Sequence, residues 1–445
     1  MSTSGTILQL EVGFMRGKRI LAWVLCLAMM MSLMPTFSFA AAEPETAAWL
    51  NTSGNELYVG EIAVTEDNAA DIIGSYSGTE ITGNAYFKVE SGVPTLYLNG
   101  VTIKEGYKHE EFAGGSTGWY YKIYGIYYKS ASDSKLKIKL SGANVIEPKE
   151  FTDEDHKTSR IYGIIADDNC VDFSLEGSEN ASLKVTSEKN ALALYSDKMK
   201  SCIISINGGE YEFKTDIDNE DEYSGEAIYG FGSLKIENAK VNISAKSNRG
   251  IWIRHPGYNY DADEEYTTGN EFTLIKNSNI TINAGTGKSW CDGILSHGSI
   301  DIESSTVDIT CDQNGLTADD GKYIAVSGAD TVISINSVAP VDEDDIGSRW
   351  EKAYAAILAN GADGENPIRI IPEITLNDGL AVTTPDAGSV KEYSFSGGAA
   401  EYRTVVDQYG VYARQVVIKT PTTHCVCGKI NCTSHTGTIT HVADQ

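Results

Sequence analysis

The sequence predicts an all-β protein, a right-handed parallel β-helix of about eight to ten coils with capping elements at both ends. Three observations predict it. The first is a template of apolar, any, apolar, four turn-like residues, apolar, any, apolar, found at Ile204/Ile206/Tyr211/Phe213, Leu234/Ile236/Val241/Ile243 and Ile300/Ile302/Val307/Ile309. Each copy reads as two short strands around a tight bend of small residues. The second is a small residue followed by an aliphatic, at Gly125-Ile126, Gly163-Ile164, Ala191-Leu192, Ala227-Ile228, Gly250-Ile251, Gly293-Ile294, Gly315-Leu316 and Ala356-Ile357. Two neighbouring intervals, Ile228 to Ile251 and Ile294 to Leu316, are 23 and 22 residues. Three short strands and three bends use about that length, one coil of a parallel solenoid, and crossovers within one parallel sheet are right-handed. The third is composition. With 43 Gly, 24 Tyr, 10 Pro and 41% hydrophobic residues in 445, the chain is too apolar for a disordered acidic polymer and lacks the long helical patterns of a bundle. A pair of β-sandwiches would also show many short strands, but it accounts less well for the recurrence.

Taken in order, residues 1–42 read as a signal peptide. Arg16, Lys18 and Arg19 precede an apolar run over 20–34, then Pro35 and the small residues Ala40-Ala41-Ala42. Met15 is the expected natural start, because a basic segment opens such signals. The run is shorter than the roughly 20 residues of a membrane-spanning helix, so the mature protein is expected outside the cytoplasm, with no membrane span. Residues 43–85 are expected to form an N-terminal cap, with a strand over 57–64 and a short helix that Thr65 caps before Ala69, Ala70, Ile72 and Ile73. Residues 86–380 are assigned to the coils, 381–420 to a C-terminal β segment whose strands lie outside the repeat, and 421–445 to a Cys/His tail or linker. Covers at both ends hide the open edges of a solenoid. Cys170, Cys202, Cys291 and Cys311 fall singly in apolar repeats, as buried thiols or as disulfides whose connectivity spacing does not give.

The formal charge is −27, and it becomes two units more negative once the signal is removed. Nucleic acid and anionic membranes are therefore excluded as partners.

The run LYVGEIAVTEDNAADIIG, the strand TLYLNGVTI and the coil DGILSHGSIDIESSTVDIT resemble the cell-surface β-helix proteins of Gram-positive anaerobes described as carbohydrate-binding-domain proteins, over most of residues 56–380. The tail HCVCGKINCTSH is similar to short Cys/His segments of such exported proteins. More distantly the fold resembles pectate lyases. The resemblance implies a polysaccharide ligand and placement at the Gram-positive cell surface. It carries no catalytic motif.

Long inserts gather at one corner, just before the small-aliphatic repeat, at 105–122, 147–160, 214–225 and 338–352, and a fifth lies at 255–269. Loops along one edge of a rigid repeat commonly bind ligands. Acidic runs within them, with Asp216, Asp218 and Glu220 in one and Asp261 and Asp263 in another, offer the oxygen ligands that Ca²⁺ takes; solvated, mutually repelling loops are the alternative. The first run opens like an EF-hand, but Asp221 stands where that loop needs Gly, so it is none. Trp119, Trp290 and Trp350, with Tyr120, Tyr121 and Tyr223, share the corner and are expected to stack on sugar faces, or else to cover coil edges. Trp252, one residue past the inward Ile251, and Tyr229, one coil earlier, are expected to form an outward aromatic ladder. In the tail, Cys425, Cys427, Cys432 and His435 could hold Zn²⁺, although the one-residue gap between the first two is tight; a labile disulfide or a linker are the alternatives. With no anchor signal after His435, the chain reads as a piece of a longer surface protein.

The resulting expectation is a secreted or cell-surface polysaccharide-binding protein, non-catalytic and Ca²⁺-assisted. A polysaccharide lyase or glycoside hydrolase on the same fold is the first alternative, with Arg249, Arg254 or His255 as base near Asp261 and Asp263. There the non-catalytic reading has Arg249 and Arg254 pairing with that acidic insert. A surface adhesin or structural stalk binding proteins is the second alternative.

Overall fold

Alternation of apolar and polar residues in runs of four to six makes strands that bury every second side chain, and turn residues at fixed spacing bend the chain before a long strand can form. In the computed structural model this produces an all-β protein with one long, mostly parallel sheet. The described residues are 42–112, 119–150, 159–195, 202–216, 225–255, 271–285, 291–319, 321–338, 355–360, 372–394 and 401–421.

Three strands make one coil. Ile228–Phe231, Ser233–Glu237 and Lys240–Ala245 are followed by Ile251–Arg254, Phe272–Lys276 and Asn279–Ala284, and each strand pairs in parallel with the one three places on. Stacking therefore builds three faces, here called A, B and C in the order of those strands. On face A the small-aliphatic repeat becomes one column, with Ile126, Ile164, Leu192, Ile228, Ile251, Ile294, Leu316 and Ile357 paired in register and fully buried. Face B stacks Ile206, Ile236, Ile275 and Ile302, and face C stacks Tyr211, Val241, Ile280 and Val307. Burying each aliphatic contributes about 1.5–3 kcal/mol, so the interior columns dominate stability.

The bend from face B to face C is nearly identical in successive coils. Its first residue has positive φ in Gly208, Asn238, Asn277, Ser304 and Gly328, the left-handed region that Gly, Asn and a few small polar residues tolerate. Beside it, the backbone N–H groups of Ala239, Ser278 and Ser305 donate to the hydroxyls of Ser278, Ser305 and Thr331 in the coils above.

Both ends switch to antiparallel pairing. At the start, Ile81–Glu90 and Val93–Ile103 form a hairpin whose second strand opens the parallel stack, and Glu56–Val59 lies antiparallel on face A. At the end, Gln415–Lys419 covers the last strand of face C and Glu401–Val406 the last strand of face A.

Several expectations need correcting. Residues 65–73 form turns and a short 3₁₀ segment, Ile73–Ser75, because the Phe87 N–H donates to the Ala69 carbonyl and the Ile72 N–H to the Ala85 carbonyl, tying the segment to the first hairpin. The cap helix lies instead at Pro44–Leu50, with Pro44 in its first turn; Trp49 packs on Phe87 and stacks on Tyr128 at centroid distances of 5.2 and 5.7 Å. The strand expected over 57–64 is folded back as a tight hairpin at Gly60, which has positive φ. Residue 86 falls inside the antiparallel hairpin, so parallel pairing starts at Thr95; at the far end Ile374–Leu376 still continues face B. Cys170, Cys202, Cys291 and Cys311 are free, buried thiols, and burial pushes Cys170 up to about 12. Among the described residues no helix is long and apolar enough to cross a membrane.

Candidate functional site

Residues one past the buried column of face A point away from the core, and they are strongly aromatic at one end. Tyr58, Tyr127, Ile165, Ala193, Tyr229 and Trp252 are consecutive partners across the coils. Tyr124, Tyr127, Tyr162, Ile165, Ala193 and Tyr229 form a second buried cluster, separate from the interior core, with Tyr58, Tyr107, Tyr195, Phe231 and Trp252 half-buried against it. Tyr58 stacks on Tyr107 at 3.7 Å, and Tyr124 lies 4.8 Å from Tyr127 and 5.3 Å from Tyr162. Ala193 is the small member of the row, and the Tyr195 hydroxyl beside it donates to the Asn190 Oδ1. Burial pushes the Tyr124 and Tyr195 hydroxyls well up, so both are neutral at any physiological pH.

Tyr229 and Trp252 stand in register with rings 5.6 Å apart, edge to face. Arg249 and Arg254 both lie over the Trp252 ring, at 4.3 and 4.7 Å, and Arg254 Nη1 donates to the Tyr229 hydroxyl at 3.2 Å. A cation over an indole is worth about 0.5–2 kcal/mol, most when desolvated.

Two residues before the buried column, at the C-to-A corner, runs a polar ladder. Asn190, Glu226, Arg249, Asp292 and Asn314 occupy equivalent positions in successive coils. Asn190 Nδ2 donates to the Glu226 carbonyl and carboxylate at 3.0 and 3.2 Å. Arg249 reaches Glu226 at 3.6 Å and Asp292 at 3.3 Å, and Asn314 donates twice to Asp292, each at 3.2 Å. Glu226, Arg249 and Asp292 are all buried. Desolvation raises the Asp292 carboxyl above its ordinary value, with Arg249 and Asn314 opposing. Arg249 was expected to pair with the 261–263 insert, which lies outside the described residues; on the ladder its partners come from the coils below and above.

The other anticipated residues divide three ways. Tyr120 is buried with the Arg160 guanidinium 4.5 Å from its ring centre, and Tyr121 is half-buried. The insert holding them is a hairpin, Tyr107–Phe112 paired antiparallel with the start of Trp119–Ser141. Trp119 sits on its second strand opposite Phe112, with its side chain outside the described residues. Asp216 contacts Lys214 at 3.0 Å and Lys246 at 3.3 Å, and the Lys214 hydrogen bond holds its carboxyl below the usual range. Trp290, Trp350, Tyr223, Asp218, Glu220, Asp261, Asp263 and the tail residues Cys425, Cys427, Cys432 and His435 lie outside the described residues. Among the described residues no group of three or more His, Cys, Asp or Glu is placed to hold a metal ion.

Sequence reasoning passed over Tyr127, although it follows Ile126 as Tyr229 follows Ile228 and Trp252 follows Ile251. That shared offset was the available signal. The ladder carried none, because its members change in chemical type from one coil to the next.

Comparison with protein-family models, curated proteins and solved structures finds no match to this chain.

Proposed function

We propose that this is an exported, non-catalytic polysaccharide-binding protein, built as a right-handed parallel β-helix, with the half-buried rings at the rim of the outer aromatic cluster of face A, Tyr58, Tyr107, Phe231 and Trp252, as its ligand surface. The carrying observation is the second apolar cluster. A solenoid with filled interior columns has no packing need for rings on its outside, and a concentration of outward aromatics beside guanidinium groups suits sugar faces and hydroxyls. The buried members, Tyr124, Tyr127, Tyr162 and Tyr229, hold those half-buried rings in place. The apolar run over 20–34 supports export, and the resemblance supports the Gram-positive surface and the carbohydrate class. Calcium, if it takes part, acts through the acidic inserts. The commitment of Arg249 to two carboxylates supports binding over lyase chemistry, since that guanidinium is not free to serve as a base.

A glycan array followed by titration with the best soluble polysaccharide tests the reading. Trp252→Ala is expected to weaken binding roughly tenfold or more, in the range of an aromatic anchor. Retention of proteins but no glycan would favour the adhesin and overturn the proposal. Release of unsaturated or reducing sugar ends, with or without Ca²⁺, would replace it by an enzyme.

A further inference from the structure

Burying three ions is costly, and hydrogen-bonded asparagine serves the same pairing role without charge. The ladder uses both. Its charged rungs, Glu226, Arg249 and Asp292, occupy the coil of Trp252 and its two neighbours, and neutral Asn190 and Asn314 take over on either side. If the ladder only joined coils, nothing would favour ions in this stretch. What distinguishes the stretch is the indole: the Arg249 guanidinium lies 4.3 Å from the Trp252 ring centre, within the same coil. The indole itself has little directional hold, since its Nε1 is buried with no hydrogen-bond partner among the described residues.

We infer that Glu226 and Asp292 are positioning residues of the ligand face: gripping Arg249 from the coils below and above, they hold its guanidinium over Trp252 and so fix the ring on which a sugar would stack. The sugar contact rests on the polysaccharide-binding reading; the ordering of the ring does not. Carboxylates on both axial sides stop the guanidinium sliding along the stack, and its planar fork makes the hold directional. Lysine at this place could keep a charge but not the planar fork that reaches two carboxylates.

The test uses the full chain labelled with 5-fluorotryptophan, with Trp252→Phe to assign the resonance. Asp292→Asn and Glu226→Gln are expected to shift or broaden the Trp252 fluorine line and to raise the polysaccharide Kd about tenfold, a usual effect of losing an ordered anchor. Asp292→Glu is expected to restore most of both. Removing one partner leaves a buried charge, so a single variant that fails to fold is replaced by the neutral triple variant Glu226→Gln/Arg249→Gln/Asp292→Asn, which should fold and still lose the sharp Trp252 line. An unchanged fluorine line in folded single or triple variants would overturn the inference. A wild-type protein that binds no polysaccharide would remove the functional reading, and the fluorine line would still decide the positioning claim.

Discussion

The B-to-C bend and the C-to-A corner are opposite solutions to turning the same chain. At the first, five coils use a short bend that opens on a left-handed residue, and the carboxamides of Asn207, Asn238 and Asn277 join through Asn238 Nδ2 to Asn207 Oδ1 at 3.2 Å and Asn277 Nδ2 to Asn238 Oδ1 at 3.4 Å. At the second, chain length varies and contacts are made by unlike side chains: a hairpin in one coil, an ion triplet across three others. Backbone geometry constrains the first, and it repeats. Side-chain partnership shapes the second, and it diverges. A repeated bend builds the scaffold, while a divergent corner is free to acquire chemistry.

The largest effect should come from neither corner. Ile236→Asp or Ile302→Asp places an unpaired charge in a filled column, and loss of more than about 4 kcal/mol, seen as loss of a cooperative thermal transition, is expected. Survival of either variant with a near-normal melting temperature would show the columns to be far looser than the burial implies.

At the divergent corner, Lys189 is buried and desolvation lowers it to about 8. The unfolded chain then binds more protons than the folded one between pH 8 and the ordinary lysine value near 10.4, so stability should rise with pH across that window, by about 3 kcal/mol at most. Urea unfolding at pH 7.5 and 9.5 measures it, and Lys189→Met should flatten the rise.

At the repeated bend, Asn238→Val is expected to cost about 1–2 kcal/mol, because a β-branched residue resists positive φ, whereas Asn238→Gly should be nearly neutral. Ser305→Ala removes the acceptor of the Ser278 N–H and should cost about 1 kcal/mol. Equal losses for the Val and Gly variants would shift the weight from backbone conformation to the carboxamide ladder.

The smallest effect concerns calcium. If the acidic inserts bind it, millimolar Ca²⁺ should raise the melting temperature by a few degrees, and chelator should reverse the gain. NaCl at equal ionic strength is the control, since screening relieves repulsion in a chain of −27. An identical gain there removes the specific site. Asp216→Asn should change the response little, given its two lysine partners.

By itself the sequence determined the period, the three-strand coil and the identity of the inward column. Alternation and small-residue bends are local signals, and eight aliphatics chosen by one neighbour each fell into a single register. It also marked Tyr229 and Trp252 as a pair, because pleating makes residue offset and facing equivalent. Tertiary structure alone decided the rest. Whether residues 65–73 would coil or dock depended on a strand about fifteen residues later, and Arg249 found ladder partners 23 residues before it and 43 after it. Those choices are set by what stacking brings within reach of a side chain, a distance along the solenoid axis that spacing along the chain does not encode once inserts of unequal length separate the coils.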